Sequence, residues 1–111
     1  MILEVAENIV GRTRPELWLG AFHWMRGSAN SFPSGHTVGA FAIGGVLMLA
    51  SRSVPLRLVA FFLAIGVACA RVLAFRHWPS DVVASASLGL LSAWVAISFV
   101  TRVTRTAEAA P

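Results

Sequence analysis

At 111 residues the chain has room for one domain at most, so residues 1–111 are read as a single unit and a multi-domain organisation is excluded. Hydrophobic residues make up 57% against 13% charged, and the mean hydropathy is +0.74, which excludes an ordinary soluble globular domain and predicts a membrane protein. The net charge of +4 rests on arginine without lysine, and arginines set singly between apolar runs do not make the basic patch that nucleic acid requires.

In chain order, residues 1–11 read as the tail of a short helix, with Glu4 and Glu7 interrupting its apolar stretch, so no cleaved signal is expected. Residues 16–33 read as a loop whose Trp18, Phe22, Trp24 and Phe32 suit the membrane–water interface, as does Trp78 further on. His23 and Arg26 in that loop read as surface residues. Apolar spans are predicted over about 37–51, 56–75 and 82–100, the last two long enough for the roughly 20 helical residues that a bilayer demands. Ser51-Arg52-Ser53-Val54-Pro55 joins the first two spans as an antiparallel hairpin. Arg76-His77-Trp78-Pro79-Ser80 forms the second turn, where Pro79 breaks the helix and Ser80 is expected to cap the third span. Cys69 is the single cysteine and reads as a small buried side chain.

The arginines fall into two sets. Arg52, Arg57, Arg102 and Arg105 sit at span ends on one side, as the positive-inside rule expects of a cytoplasmic face. Arg12, Arg14, Arg26, Arg71 and Arg76 fall on the opposite side, where a function is needed to hold them. In the hairpin, His36 lies level with Arg71, and the next turn brings His77 and Asp81 to the same depth.

Such a set suits phosphoryl chemistry. The guanidinium groups of Arg14 and Arg71 bind phosphate oxygens through forked hydrogen bonds. The Ser34 hydroxyl and the Gly35 amide, at a helix start, add donors where the helix dipole favours an anion, although Pro33-Ser34-Gly35-His36 by itself also reads as a plain helix entry with Ser34 as cap. One histidine attacks phosphorus as neutral imidazole while the other protonates the leaving oxygen. Asp81, four residues after His77, is expected to accept a hydrogen bond from that ring and make His77 the nucleophile, leaving His36 as the acid. No metal or other cofactor is needed, and His23, His36 and His77 lack the short ligand spacing of a metal site.

Arg14-Pro15, Pro33-Ser34-Gly35-His36 and Arg71-x5-His77-x3-Asp81, in this order, resemble the three-part signature of the type 2 phosphatidic acid phosphatase family, which includes lipid phosphate phosphatases and undecaprenyl diphosphate phosphatases. The resemblance covers about residues 7–100. It implies an all-α, membrane-embedded six-helix bundle of which this chain would supply the C-terminal part, three transmembrane helices plus a short N-terminal helix. It also implies metal-independent hydrolysis of a lipid phosphate or polyprenyl diphosphate through a phosphohistidine on His77, with Asp81 its partner, His36 the acid, and Arg14, Ser34, Gly35 and Arg71 the phosphate ligands.

The sequence departs from the pattern in three ways. Glu7 stands where the family's first motif has lysine, with Arg12 the residue expected to supply the lost charge to phosphate. Ala70 replaces the serine before Arg71. The family's earlier helices do not precede the first motif, so a fragment, self-association or a partner that supplies the missing helices is expected. The expected setting is a multi-pass protein of a bacterial plasma membrane, with the site facing the periplasm or exterior. Two other readings stay open: an inactive membrane remnant binding phospholipid head groups or a helix partner, and an anion-binding protein like a vanadium haloperoxidase, against which the hydrophobic spans argue.

Overall fold

The computed structural model describes residues 5–6, 9–15 and 30–110, and among them the architecture is helical. Glu7, His23, Arg26 and the aromatic residues Trp18, Phe22 and Trp24 lie outside the described residues. Val5, Ala6, Ile9 and Val10 are helical, and Gly11 then turns the chain at a φ of +56°. A side chain is strained in that left-handed conformation, so glycine is suited to the position.

Three helices follow: α1 (Gly35–Ala50), α2 (Val54–Leu73) and α3 (Pro79–Glu108). Ser34 caps α1, its hydroxyl accepting from the Thr37 amide, and Ser53 caps α2 through the Leu56 amide. The expected Ser80 cap of α3 is not what forms. Trp78 occupies the capping position with Pro79 in the first turn, and the Asp81 carboxylate accepts from the Trp78 amide at 3.1 Å. Proline suits the first helical position because it has no amide hydrogen to leave unbonded there, and this moves the helix start ahead of Ser80.

α2 and α3 are each long and apolar enough to cross a membrane, and only 17% and 22% of their most apolar stretches are buried, unlike the core helix of a soluble protein. The 16 residues of α1 reach only about 24 Å at 1.5 Å per residue, short of the roughly 30 Å hydrocarbon layer. α3 runs past the expected end at 100 to Glu108, carrying Arg102 and Arg105 beyond the apolar stretch.

α1 packs against both other helices, and α2 touches α3 only slightly. Small residues make this possible. A Cβ on Gly89 of α3 would stand 2.5 Å from the Val38 carbonyl oxygen and 2.7 Å from the Phe41 Cβ of α1, and one on Gly45 would stand 2.7 Å from the Ala93 Cβ. Lipid tails are as apolar as the side chains, so close backbone approach, not hydrophobic exclusion from water, drives such contacts. The buried core is small, Phe41, Ala64, Ala68 and Val82, while Ile43, Phe62, Leu73, Leu91 and Phe99 face outward. That outward apolar surface is what a lipid-facing bundle presents. Cys69, expected to be buried, is exposed, because it lies off the α2 face that carries Ala64 and Ala68.

Candidate active site

Three pieces of chain meet where α1 and α3 begin and α2 ends. Thr13 and Asn30 form an isolated antiparallel bridge, the Ser31 amide donates to the Arg12 carbonyl, and the Trp78 indole donates to the Thr13 carbonyl at 2.9 Å. The turn after α2 folds back on itself: the amides of Arg76 and His77 both donate to the Arg71 carbonyl, at 3.2 and 3.3 Å. Phe75, at a φ of 54°, is the residue in the left-handed region that lets this turn close.

His77 is buried, and its Nδ1 lies 2.5 Å from the Ser31 carbonyl oxygen. A carbonyl only accepts, so Nδ1 carries the proton and, in the neutral ring, Nε2 keeps the lone pair. Burial pushes the His77 pKa below its ordinary value of 6.5; the Ser31 hydrogen bond and the Asp81 charge oppose this, while Arg14 and Arg71 add to it. The ring is therefore neutral at pH 7, with a nucleophilic nitrogen available.

Asp81 does not take the expected bond from the His77 ring. Its Oδ1 is paired with Arg12 Nη1 at 2.6 Å, and its Oδ2 accepts from the Ser31 hydroxyl at 2.5 Å and from the Trp78 amide. The physical reason lies in the helix boundary. Residues four apart are neighbours only on a continuous helix, but His77 precedes α3 and Trp78 between them is extended, with φ −74° and ψ 150°. Fully buried, the carboxylate needs a counter-charge, and Arg12 supplies it.

That pairing also gives Arg12 a role inside the protein. Its guanidinium also donates from the same Nη1 to the Ser80 hydroxyl at 2.9 Å and stacks 5.6 Å from the Trp78 ring centroid, so Arg12 binds Asp81 and the turn through that one nitrogen.

Ser34 is likewise engaged inside the protein. Its hydroxyl lies 2.9 Å from the Thr37 hydroxyl and caps the helix, and its amide donates to the Ser85 hydroxyl at 2.8 Å; Ser34, Thr37 and Ser85 are all fully buried. The cap reading of this serine is one the structure realises, its hydroxyl accepting from the Thr37 amide. Gly35 and His36 are exposed at the first two positions of α1, where amides have no acceptor within the helix.

Arg14 donates from Nε to the Asn30 carbonyl at 3.1 Å and is partly buried. Arg71 differs: its Nε is buried and has no hydrogen-bond partner among the described residues. An unsatisfied buried donor on a cation costs free energy on the order of 1–3 kcal/mol or more, so this group is suited to an acceptor beyond the described residues. Among the described residues no cluster of three or more His, Cys, Asp or Glu is placed to hold a metal ion.

Sequence reasoning missed Ser31, Thr37 and Ser85. The signal for Ser85 was its spacing: Asp81, Ser85, Gly89 and Ala93 recur every four residues and form the α3 face turned to α1. Ser31 had no comparable signal, because its role runs through its backbone carbonyl as well as its side chain.

A family model described as the PAP2 superfamily matches residues 1–105. The chain is similar to a protein named lipid A 1-phosphatase from Porphyromonas gingivalis, 39% identical over 66 residues that cover 58% of this chain and 15% of that protein. It is similar also to a protein named bacitracin transport permease protein BcrC from Bacillus licheniformis, 39% identical over 64 residues that cover 58% of this chain and 30% of that protein. The matched stretch thus spans less than a third of either relative. No solved structure matches the chain.

Proposed function

The chain belongs to the PAP2 superfamily, and from that premise we propose that it carries the phosphoryl-transfer centre of a membrane phosphatase acting on a lipid phosphate monoester or diphosphate. The phosphate would rest on Arg71, Arg14 and the amides of Gly35 and His36 at the start of α1, where the helix dipole adds favourable charge. His77 Nε2 attacks phosphorus and the bond to the leaving oxygen breaks as His36 gives that oxygen a proton. A water then attacks phosphorus as His36 takes its proton, the phosphorus–nitrogen bond breaks with its electron pair returning to Nε2, and inorganic phosphate leaves with His77 neutral again.

The observation that carries this reading is the Arg71 Nε, a buried donor without a partner among the described residues, whose charge acts on a neutral His77 with a fixed tautomer. The apolar exterior of α2 and α3 supports a lipid substrate delivered within the membrane. The 39% identical relative named for phosphate removal from lipid A supports the same class. The site would face the periplasm or exterior, opposite the end that carries Arg52, Arg57, Arg102 and Arg105.

Purified protein incubated with a short-chain phosphatidic acid in micelles, with chelator present, is expected to release phosphate, and His77→Ala to release none. Equal release by both proteins would sink the proposal. A second reading, binding of phospholipid head groups without turnover, draws on one observation: Arg12, the cation able to make up for Glu7, is held by Asp81. It predicts retention of the lipid with no release by wild type.

A further inference from the structure

Ser31 belongs to none of the motifs, yet it joins three parts of the site. It is fully buried. Its amide donates to the Arg12 carbonyl, its hydroxyl donates to Asp81 Oδ2, and its carbonyl accepts from His77 Nδ1, each at 2.5 Å. We infer that Ser31 is the positioning residue through which Asp81 acts on His77: the carboxylate fixes the serine, and the serine so fixed aims its carbonyl at the ring. This rests on the reading of His77 as nucleophile.

The division of labour follows from charge and placement. Asp81 is held on α3 by Arg12 and by the Trp78 amide, so it is a rigid anchor. It contributes its negative charge to the ring from a distance, which stabilises the cationic imidazole formed when Nε2 bonds to phosphorus. The tautomer itself is set by the neutral carbonyl of Ser31, which tolerates a hydrogen on Nδ1 and repels a lone pair there. Without the hydroxyl bond, Ser31 keeps its carbonyl but loses the link that fixes it relative to α3. The ring is then free to exchange its two neutral tautomers, one of which has no nucleophilic pair on Nε2.

The test compares wild type, Ser31→Ala, Ser31→Thr, Asp81→Asn and the Ser31→Ala/Asp81→Asn double variant. Ser31→Ala is expected to lower kcat by about tenfold to a hundredfold, as loss of a group orienting a functional histidine does, with KM unchanged and kcat restored in Ser31→Thr. The double variant is expected to be no slower than Asp81→Asn alone, because both substitutions cut one connection. Multiplying losses would overturn the inference.

Ring ¹⁵N shifts of His77 give a readout independent of turnover: Nδ1–H in wild type and Ser31→Thr, a tautomer mixture in Ser31→Ala. If wild type releases no phosphate but the mixture appears, the phosphatase reading fails and the role of Ser31 stands. If wild type turns over and Ser31→Ala matches it in kcat and in tautomer, the role of Ser31 fails and the phosphatase reading stands. Should Ser31→Ala lose its fold, Ser31→Cys, which keeps the shape and weakens the donor, carries the same expectations in smaller measure.

Discussion

At the scale of single residues the site divides into groups that stay free for a ligand and groups already spent on the protein. Arg71 belongs to the first, with a buried Nε that has no hydrogen-bond partner among the described residues. Arg71→Ala should therefore lower kcat/KM by about 10²–10³, the loss typical of removing one preorganised donor, and Arg71→Lys should recover little because an ammonium lacks the planar fork. Steady-state kinetics on both variants checks this. His77, whose pKa burial lowers, should remain neutral to below pH 6.5, so the acid limb that its titration gives to kcat/KM lies below that value. The same shift has a sign for stability. The unfolded chain takes up a proton at 6.5 and the folded one only at lower pH, so folding stability rises with pH across that window and is lost as pH falls through it. His77→Gln should flatten that dependence in thermal melts carried out below pH 6.5. The sequence made the residue types and their convergence legible, since Arg, His and Asp have little reason to gather at one end of an apolar bundle. It misassigned one bond: Asp81 pairs with Arg12 and Ser31 and not with the His77 ring, a competition that spacing does not reveal.

At the scale of elements, α3 is the ruler against which the site is assembled. Its face of Asp81, Ser85, Gly89 and Ala93 holds, in turn, Ser31, Ser34, the backbone around Val38 and Gly45. A methyl group on Gly89 has no room against backbone atoms, so Gly89→Ala should destabilise the bundle by about 1–3 kcal/mol through overpacking and reduce activity by shifting the site. Gly66 on α2 is the control. A Cβ there meets nothing within 4 Å, and Gly66→Ala should leave stability unchanged or raise it by up to about 1 kcal/mol. Thermal melts in detergent compare the two. The helices themselves were legible from apolar length and from the Pro and Ser punctuation. The boundary at Trp78 was not, since proline at the first helical position moved the start and broke the register between His77 and Asp81.

At the scale of the whole molecule, the candidate site lies where α2 ends and α3 begins, and Arg52, Arg57, Arg102 and Arg105 lie toward the other ends of these two helices. Two single-cysteine variants in a Cys69→Ser background report on orientation. A membrane-impermeant thiol reagent applied to intact cells should label Ser80→Cys and spare Ser53→Cys, and the reverse pattern would invert the topology. The central claim, that His77 becomes covalently phosphorylated during turnover, is tested most directly by acid-free quenching of the protein with ³²P-labelled phosphatidic acid. The account predicts a base-stable, acid-labile label on wild type that maps to His77 and is missing from His77→Ala. Turnover by wild type without such a label, or a label that survives His77→Ala, would contradict it.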